Sequence, residues 1–194
     1  MRHVLNHRLS LWALLAAPGL AMVLGYARGT IDSMDLLHPS GEMSARLMII
    51  AMAIGPLANL LGPRRWLLWL SARRRYFGVA AFLYALLHLA FYVIDMGNLR
   101  DMLAEALAPG IWTGWAAVGL MLVPAILSND RAMRRLKARW KQLQRFVYPA
   151  AVLTLLHWIW VHNNLGPALA HFAPLALLFI LRRTKSLPHV KQGA

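Results

Sequence analysis

The chain has 194 residues, 59% of them hydrophobic, a mean hydropathy of +0.50 and a formal net charge of +14. Several apolar runs reach membrane-spanning length, which excludes an ordinary soluble domain and marks an integral membrane protein. Cysteine is absent, so disulfides, thiolate ligands, iron–sulfur clusters and thiol catalysis are excluded and any redox or metal chemistry falls to histidine.

In chain order the hydropathy predicts six spans, at about 9–26, 43–61, 76–94, 110–128, 146–162 and 167–181, the last of them short. The runs are continuous rather than alternating, and backbone amides in lipid must bond within their own segment, so the spans are helices and not barrel strands. Pro56, Pro124, Pro149 and Pro174 fall inside them, as kinks that membrane helices tolerate. Residues 1–27 also carry features of a secretory signal, a basic start and the small-x-small sequence Gly25–Ala27. The apolar run Leu9–Gly25 is longer than a signal core, and an uncleaved helix is expected.

The positive charge lies in alternate connections: Arg2 and Arg8 before the first span; Arg64, Arg65, Arg73, Arg74 and Arg75 between the second and third; Arg131, Arg134, Arg135, Lys137, Arg139, Lys141 and Arg145 between the fourth and fifth; Arg182, Arg183, Lys185 and Lys191 after the sixth. Asp32, Asp35, Glu42, Asp95, Asp101 and Glu105 fall near the opposite ends, leaving Asp130 as the one acid on the basic side. The positive-inside rule makes the basic ends cytoplasmic. The expected fold is therefore a single all-α transmembrane domain over residues 1–194, a six-helix bundle with both termini cytoplasmic. A basic stripe against anionic lipid headgroups accounts for the charge without nucleic acid. The amphipathic basic segment Met133–Arg145, with Met133, Leu136, Trp140 and Leu143 at helical spacing, is expected in the interface as a lipid anchor or as a dock for a flavoprotein or flavin.

Of the eight histidines, His3, His7, His38, His162, His171 and His189 lie in or near termini, loops or helix ends, whereas His88 and His157 stand deep in spans. His88 is 12 residues past Tyr76 and His157 is 11 past Phe146, and at about 1.5 Å per residue the two sit at nearly equal depth. Two readings compete. Each histidine can simply bond a neighbouring helix; or the two can face one another, and two neutral imidazoles without nearby Cys, Asp or Glu suit axial ligation of a haem iron better than zinc. Gly78, Ala80, Ala81 and Ala85 on one span and Ala150, Ala151 and Thr154 on the other leave room for a flat macrocycle, or serve ordinary helix packing.

Arg74–Tyr92, "RRYFGVAAFLYALLHLAFY", and Met133–Trp160, "MRRLKARWKQLQRFVYPAAVLTLLHWIW", carry a family resemblance. Its parts are the RR-x-x-G start at Arg74, Arg75 and Gly78, the LLH of span three, the basic R-W-x-x-L-x-x-x-V-Y segment at Arg139–Tyr148 and the L-H-x-x-W of span five. Over about residues 38–183 the chain resembles the haem-binding membrane subunits of periplasmic methionine-sulfoxide reductases, the MsrQ family, within the ferric-reductase-like transmembrane domain proteins. The resemblance implies a multi-pass protein of the bacterial inner membrane that holds haem b on His88 and His157. It implies electron flow from a cytoplasmic flavin reductase or quinol to a periplasmic molybdopterin-containing reductase that repairs methionine sulfoxide. In that family a further histidine lies 13 residues before the outer ligand; here the position is Gln144. An amide is a poor ligand for haem iron, and the guanidinium of Arg74 has no lone pair to offer, so one haem is expected rather than a ladder of two. An FMN or quinone held near Arg74, Arg75, Gln144 and Arg145 would then bridge the cytoplasmic half, although snorkelled interfacial residues would look the same.

No Gly-rich nucleotide fingerprint follows a strand and no soluble segment is long enough to bind a nicotinamide, so the chain is expected to be an electron-transfer subunit and not a complete enzyme. Arg46, about one turn into span two from the outer end, would either snorkel outward or meet a haem propionate. Trp112, Trp115, Trp158 and Trp160 read as an aromatic belt. His162 and His171 read as solvated or capping residues, with His171 in reserve as a ligand. The alternative functions are a stand-alone ferric or metal-ion reductase-like cytochrome, a quinol-linked transmembrane cytochrome b, and a non-redox membrane scaffold.

Overall fold

The computed structural model describes residues 8–186, and the described residues are helical with short connections. His3, His7, His189, Arg2 and Lys191 lie outside them, as do the side chains of Arg8 and Lys185. The helices are α1 (Arg8–Ala27), α2 (Ser33–Leu61), α3 (Arg65–Met96), α4 (Leu99–Glu105), α5 (Pro109–Ile126), α6 (Asp130–Leu136), α7 (Ala138–Gln144), α8 (Val147–His162) and α9 (Leu165–Ser186). Five of them, α1, α2, α3, α5 and α9, are long and apolar enough to cross a membrane. The remaining expected span, α8, is an apolar helix of 16 residues.

Several boundaries differ from the sequence expectation, each for a local reason. Span two begins at Ser33 rather than near residue 43, because Pro39 and Gly41 sit inside α2 instead of ending it. The hydroxyl of Ser40 donates to Leu36 O at 2.6 Å and keeps the segment helical there. Span three starts eleven residues early, at Arg65, since Trp66–Ser71 continues the apolar pattern through the basic cluster. Pro149 is not a kink: it stands in the first turn of α8, where an absent N–H leaves no gap in the ladder. The last span is not short, for α9 has 22 residues. The basic segment Met133–Arg145 is not one helix either; Lys137, in the left-handed region at φ 47°, divides α6 from α7.

Two antiparallel pairs build the core. α2 and α3, joined across Gly62 at φ 76°, share the most extensive contact, followed by α5 and α8; α9 leans on α2, and α3 meets α5. Small residues make the close approach: Ala45, Ala80, Ala81, Ala150 and Ala151 are buried, and Ser44 Oγ crosses from α2 to donate to Ala81 O at 2.8 Å. Gly78 has open space where a side chain would stand and plays no part in that approach. Leu86, Leu122, Val152, Leu177 and Ile180 face outward on four different helices, the apolar exterior that a bilayer requires. The charge separates by end. Ser33 bonds Asp95 at one end, and Arg75 pairs with Asp130 at the other.

α1 packs on the bundle through buried Leu11 and Leu15 and is tied to α3 by one hydroxyl. Pro18 interrupts its ladder, and Tyr84 Oη of α3 accepts from Gly19 N at 2.8 Å and donates to Leu15 O at 2.9 Å, the two groups a regular turn would join to each other. Tyr84→Phe leaves both without that partner in an apolar setting. The expected result is a destabilisation of about 1–3 kcal/mol, read as a lower thermal midpoint of the detergent-solubilised protein; an unchanged midpoint would show that α1 is held by packing alone.

Candidate functional site

A cavity of about 350 Å³ opens between the two helix pairs, and His88 of α3 and His157 of α8 both line it. Their ring centroids are 6.0 Å apart and the rings are nearly perpendicular, at 80°. His88 Nδ1 lies 2.9 Å from Leu37 O of α2, and His157 Nδ1 lies 2.6 Å from Gly110 O of α5. A carbonyl can only accept, so each Nδ1 carries the hydrogen and donates it. Each Nε2 is left with its lone pair.

The two half-sites are built alike. One turn past each acceptor carbonyl is a glycine, and the ring lies on it. A Cβ on Gly41 would meet His88 Nδ1 at 3.1 Å and Cε1 at 3.3 Å; one on Gly114 would meet His157 Nδ1 at 2.8 Å and Cε1 at 2.9 Å. The residue before each glycine is a fully buried hydroxyl, Ser40 or Thr113. Sequence reasoning found the two histidines but not these supports. The available signal was the repeated Ser-Gly and Thr-Gly step on the helix paired with each histidine helix, and the first was hidden in a stretch read as a loop.

The cavity suits a flat, largely apolar ligand held by two nitrogens. Its wall is mostly Leu37, Ala85, Leu89, Ile111, Ala117, Val118 and Met121. Two nitrogens at about 2 Å from a shared metal, with roughly 1 Å more to each ring centre, place the centroids about 6 Å apart, which is the separation observed. Among the described residues no group of three or more His, Asp or Glu side chains is arranged to hold a metal ion, so a zinc-type ligand cluster is not what the site offers. Tyr92 Oη, one turn beyond His88 on the cavity wall, is buried without a hydrogen-bond partner. It is available to a ligand.

At the acidic end the cavity mouth carries a polar cluster. His38 Nδ1 and His162 Nε2 are 3.0 Å apart, and both residues line the cavity with Glu42. Arg46 does not line it: its Nη2 donates to Glu42 Oε1 at 2.6 Å and its Nε donates to His171 Nε2 at 3.2 Å. The Nδ1 of His171 donates to Pro167 O at 2.7 Å, and its Nε2 also lies 3.3 Å from Glu42 Oε1. Trp158 departs from the aromatic-belt expectation. It is buried at 6% exposure and packs against His38, His162 and His171. Trp112, Trp115 and Trp160 are exposed, and Trp115 also faces the cavity beside Tyr92.

At the basic end the residues singled out for a flavin or quinone stand apart from this cavity. Arg75 pairs with Asp130, lies 3.3 Å from Met133 Sδ and stands over the Trp140 ring. Gln144 Nε2 donates to Pro124 O at 3.1 Å. Arg74 and Arg145 are exposed.

The family described as "Ferric reductase like transmembrane component" matches residues 40–155, a stretch that takes in His88 and ends just before His157. The chain is similar to a protein of Xanthomonas axonopodis pv. citri named protein-methionine-sulfoxide reductase heme-binding subunit MsrQ, at 33% identity over 165 residues, 83% of this chain and 74% of the relative. It is similar to proteins of the same name from Yersinia pseudotuberculosis and Yersinia pestis, each at 28% identity over 194 residues; the match covers 96% of this chain in both cases, and 94% and 92% of those relatives. No solved structure matches the chain.

The glycine contacts generate a graded expectation. At Gly114 an added methyl overlaps the His157 ring, whereas at Gly41 it is tight but clear of overlap. Gly114→Ala should therefore displace its imidazole and lower the thermal midpoint of the detergent-solubilised protein, and Gly41→Ala should lower it less. Equal midpoints in the two variants would contradict the cradle geometry.

Proposed function

We propose that this chain, which belongs to the ferric reductase like transmembrane component family, is the haem-binding membrane subunit of a methionine-sulfoxide reductase system in a bacterial inner membrane. The observation that carries the proposal is the matched imidazole pair, in which both Nδ1–H groups donate to helix carbonyls and both rings line one cavity with each Nε2 left to a ligand. Ligating histidines are oriented and made more basic by such second hydrogen bonds. A haem b held there supplies one-electron chemistry within the membrane. His88 and His157 would hold it, the apolar wall would shield it, and Tyr92 Oη, His38 and His162 are polar groups of the cavity that could meet its carboxylates. Arg46 would join them only by leaving Glu42.

The finer reading follows the charge and the shape of the cavity. α8 is a crossing as well, the fifth of six in chain order, and both termini are cytoplasmic. One haem is held, towards the acidic, periplasmic end, since the cavity wall reaches no nearer the basic end than Ala85, Met121 and Thr154. The donor is a cytoplasmic flavin reductase or a quinol, and Arg74, Arg75, Gln144 and Arg145 are the residues at the basic end that would hold a flavin or quinone. The acceptor is a periplasmic molybdopterin-containing reductase.

Purified protein should show the sharp reduced-state bands of a bis-histidine haem, at a haem-to-protein ratio near one. His88→Ala and His157→Ala should each lose the haem, and His162→Ala should keep it. Normal haem content in either of the first two variants would remove the assignment, and a reproducible ratio of two would remove the single-haem reading. Orientation is checked separately: a reporter fused after Ala194 should be active in the cytoplasm and one inserted near Asn98 in the periplasm, and the reverse pattern would overturn the topology.

A further inference from the structure

Ser40 and Thr113 are both at 0% exposure and occupy equivalent places on α2 and α5. Ser40 Oγ donates to Leu36 O at 2.6 Å and also reaches Leu37 O at 3.0 Å; Thr113 Oγ1 donates to Pro109 O at 2.6 Å and reaches Gly110 O at 3.0 Å. Leu37 O and Gly110 O are the carbonyls that take the imidazole hydrogens. Each acceptor of a histidine proton is thus shared with a buried hydroxyl, and Ser40 Oγ itself stands 3.4 Å from His88 Nδ1.

Back-bonding to the preceding turn is what Ser and Thr do in membrane helices, and Ser128 and Thr154 do the same here. Ser40 and Thr113 differ from those two in that one carbonyl each hydroxyl reaches is also the acceptor of an imidazole hydrogen. Two segments of unrelated sequence, Leu36–Gly41 and Pro109–Gly114, converge on one device.

We propose that Ser40 and Thr113 are paired positioning residues that set the electronic character of His88 and His157 through the shared carbonyls. A carbonyl that already accepts from a hydroxyl has less negative charge to offer a second donor. It pulls less on the imidazole N–H, so the imidazole keeps a neutral character and does not become imidazolate-like. An imidazole of that kind stabilises ferric iron less, and the reduction potential of the bound group is higher than the histidines alone would give. The inference rests on the haem reading above and adds the residues that tune it.

The test is a spectroscopic redox titration of the purified, haem-loaded protein and of Ser40→Ala, Ser40→Cys, Thr113→Val and the Ser40→Ala/Thr113→Val double variant. With haem content near that of the parent, each loss of a hydroxyl should lower the midpoint potential. At a fixed potential the ferric-to-ferrous ratio should rise about three- to tenfold, tenfold being 59 mV for a one-electron couple. The double variant should shift further, and Ser40→Cys, a weaker donor of similar shape, should fall between Ser40→Ala and the parent. Thr113→Ser and Ser40→Thr, which keep the hydroxyl, should restore the parent potential. Unchanged potentials in variants that retain haem would overturn the tuning role and leave the ligand assignment intact, as would a shift equally large in the hydroxyl-keeping variants. A parent protein that binds no haem would overturn the functional reading itself. Should the double variant fail to accumulate, the single Cys and Val variants decide the matter alone.

Discussion

An imidazole in the middle of an apolar bundle must place its N–H, because an unpaired polar hydrogen there is costly. Here both central imidazoles give theirs to the main chain of an adjacent helix. A helix carbonyl is shielded by its own ladder and by the side chain one turn on, so a ring reaches it only where that side chain is missing. Gly41 and Gly114 supply the gap. The constraint then propagates: the ring can approach only if the two helices are close, and Ala80, Ala81, Ala150 and Ala151 let the bundle draw together below the site. What remains above is a cavity lined by both imidazoles.

The division of labour between helices follows from this. α3 and α8 bring the reactive nitrogens, while α2 and α5 bring the carbonyls, glycines and hydroxyls that orient them. α9 and α1 serve other ends. α9 closes the acidic end through His171 against Trp158 and Arg46, and α1 is fastened to the outside of α3 by the Tyr84 hydroxyl. The site is thus assembled from four helices and supported by two others, and among the described residues no sizeable loop contributes to it.

Much of this was legible in the residues. Continuous apolar runs mark the spans, since lipid leaves a helix no alternative, and counting from the basic ends put His88 and His157 at one depth. The supports were harder to see. "LLHPSGE" holds a proline, a glycine, a serine and an acid, each a loop signal in water, yet it forms the first turns of α2 because Ser40 bonds back and Gly41 is needed bare. Trp158 looked interfacial because tryptophan near a helix end usually is; a cluster of three histidines gathered from α2, α8 and α9 buried it instead. Such gathering depends on tertiary contact and leaves no trace in local periodicity. The division of the basic segment at Lys137 was equally invisible, because its apolar residues keep helical spacing across the break.

The length of α2 has a consequence of its own. Its 29 residues make a rod about 43 Å long, well beyond the roughly 30 Å of hydrocarbon in a bilayer. Asp35, Glu42 and Arg46 load the surplus onto the end that carries the cavity mouth, because charged groups move out of lipid when the helix allows it. The cavity consequently runs from a polar mouth at His38, Glu42 and His162 to a deeper end at Ala85, Met121 and Thr154. Charge placed on a group in such a slot would be better screened on the polar edge than on the apolar one.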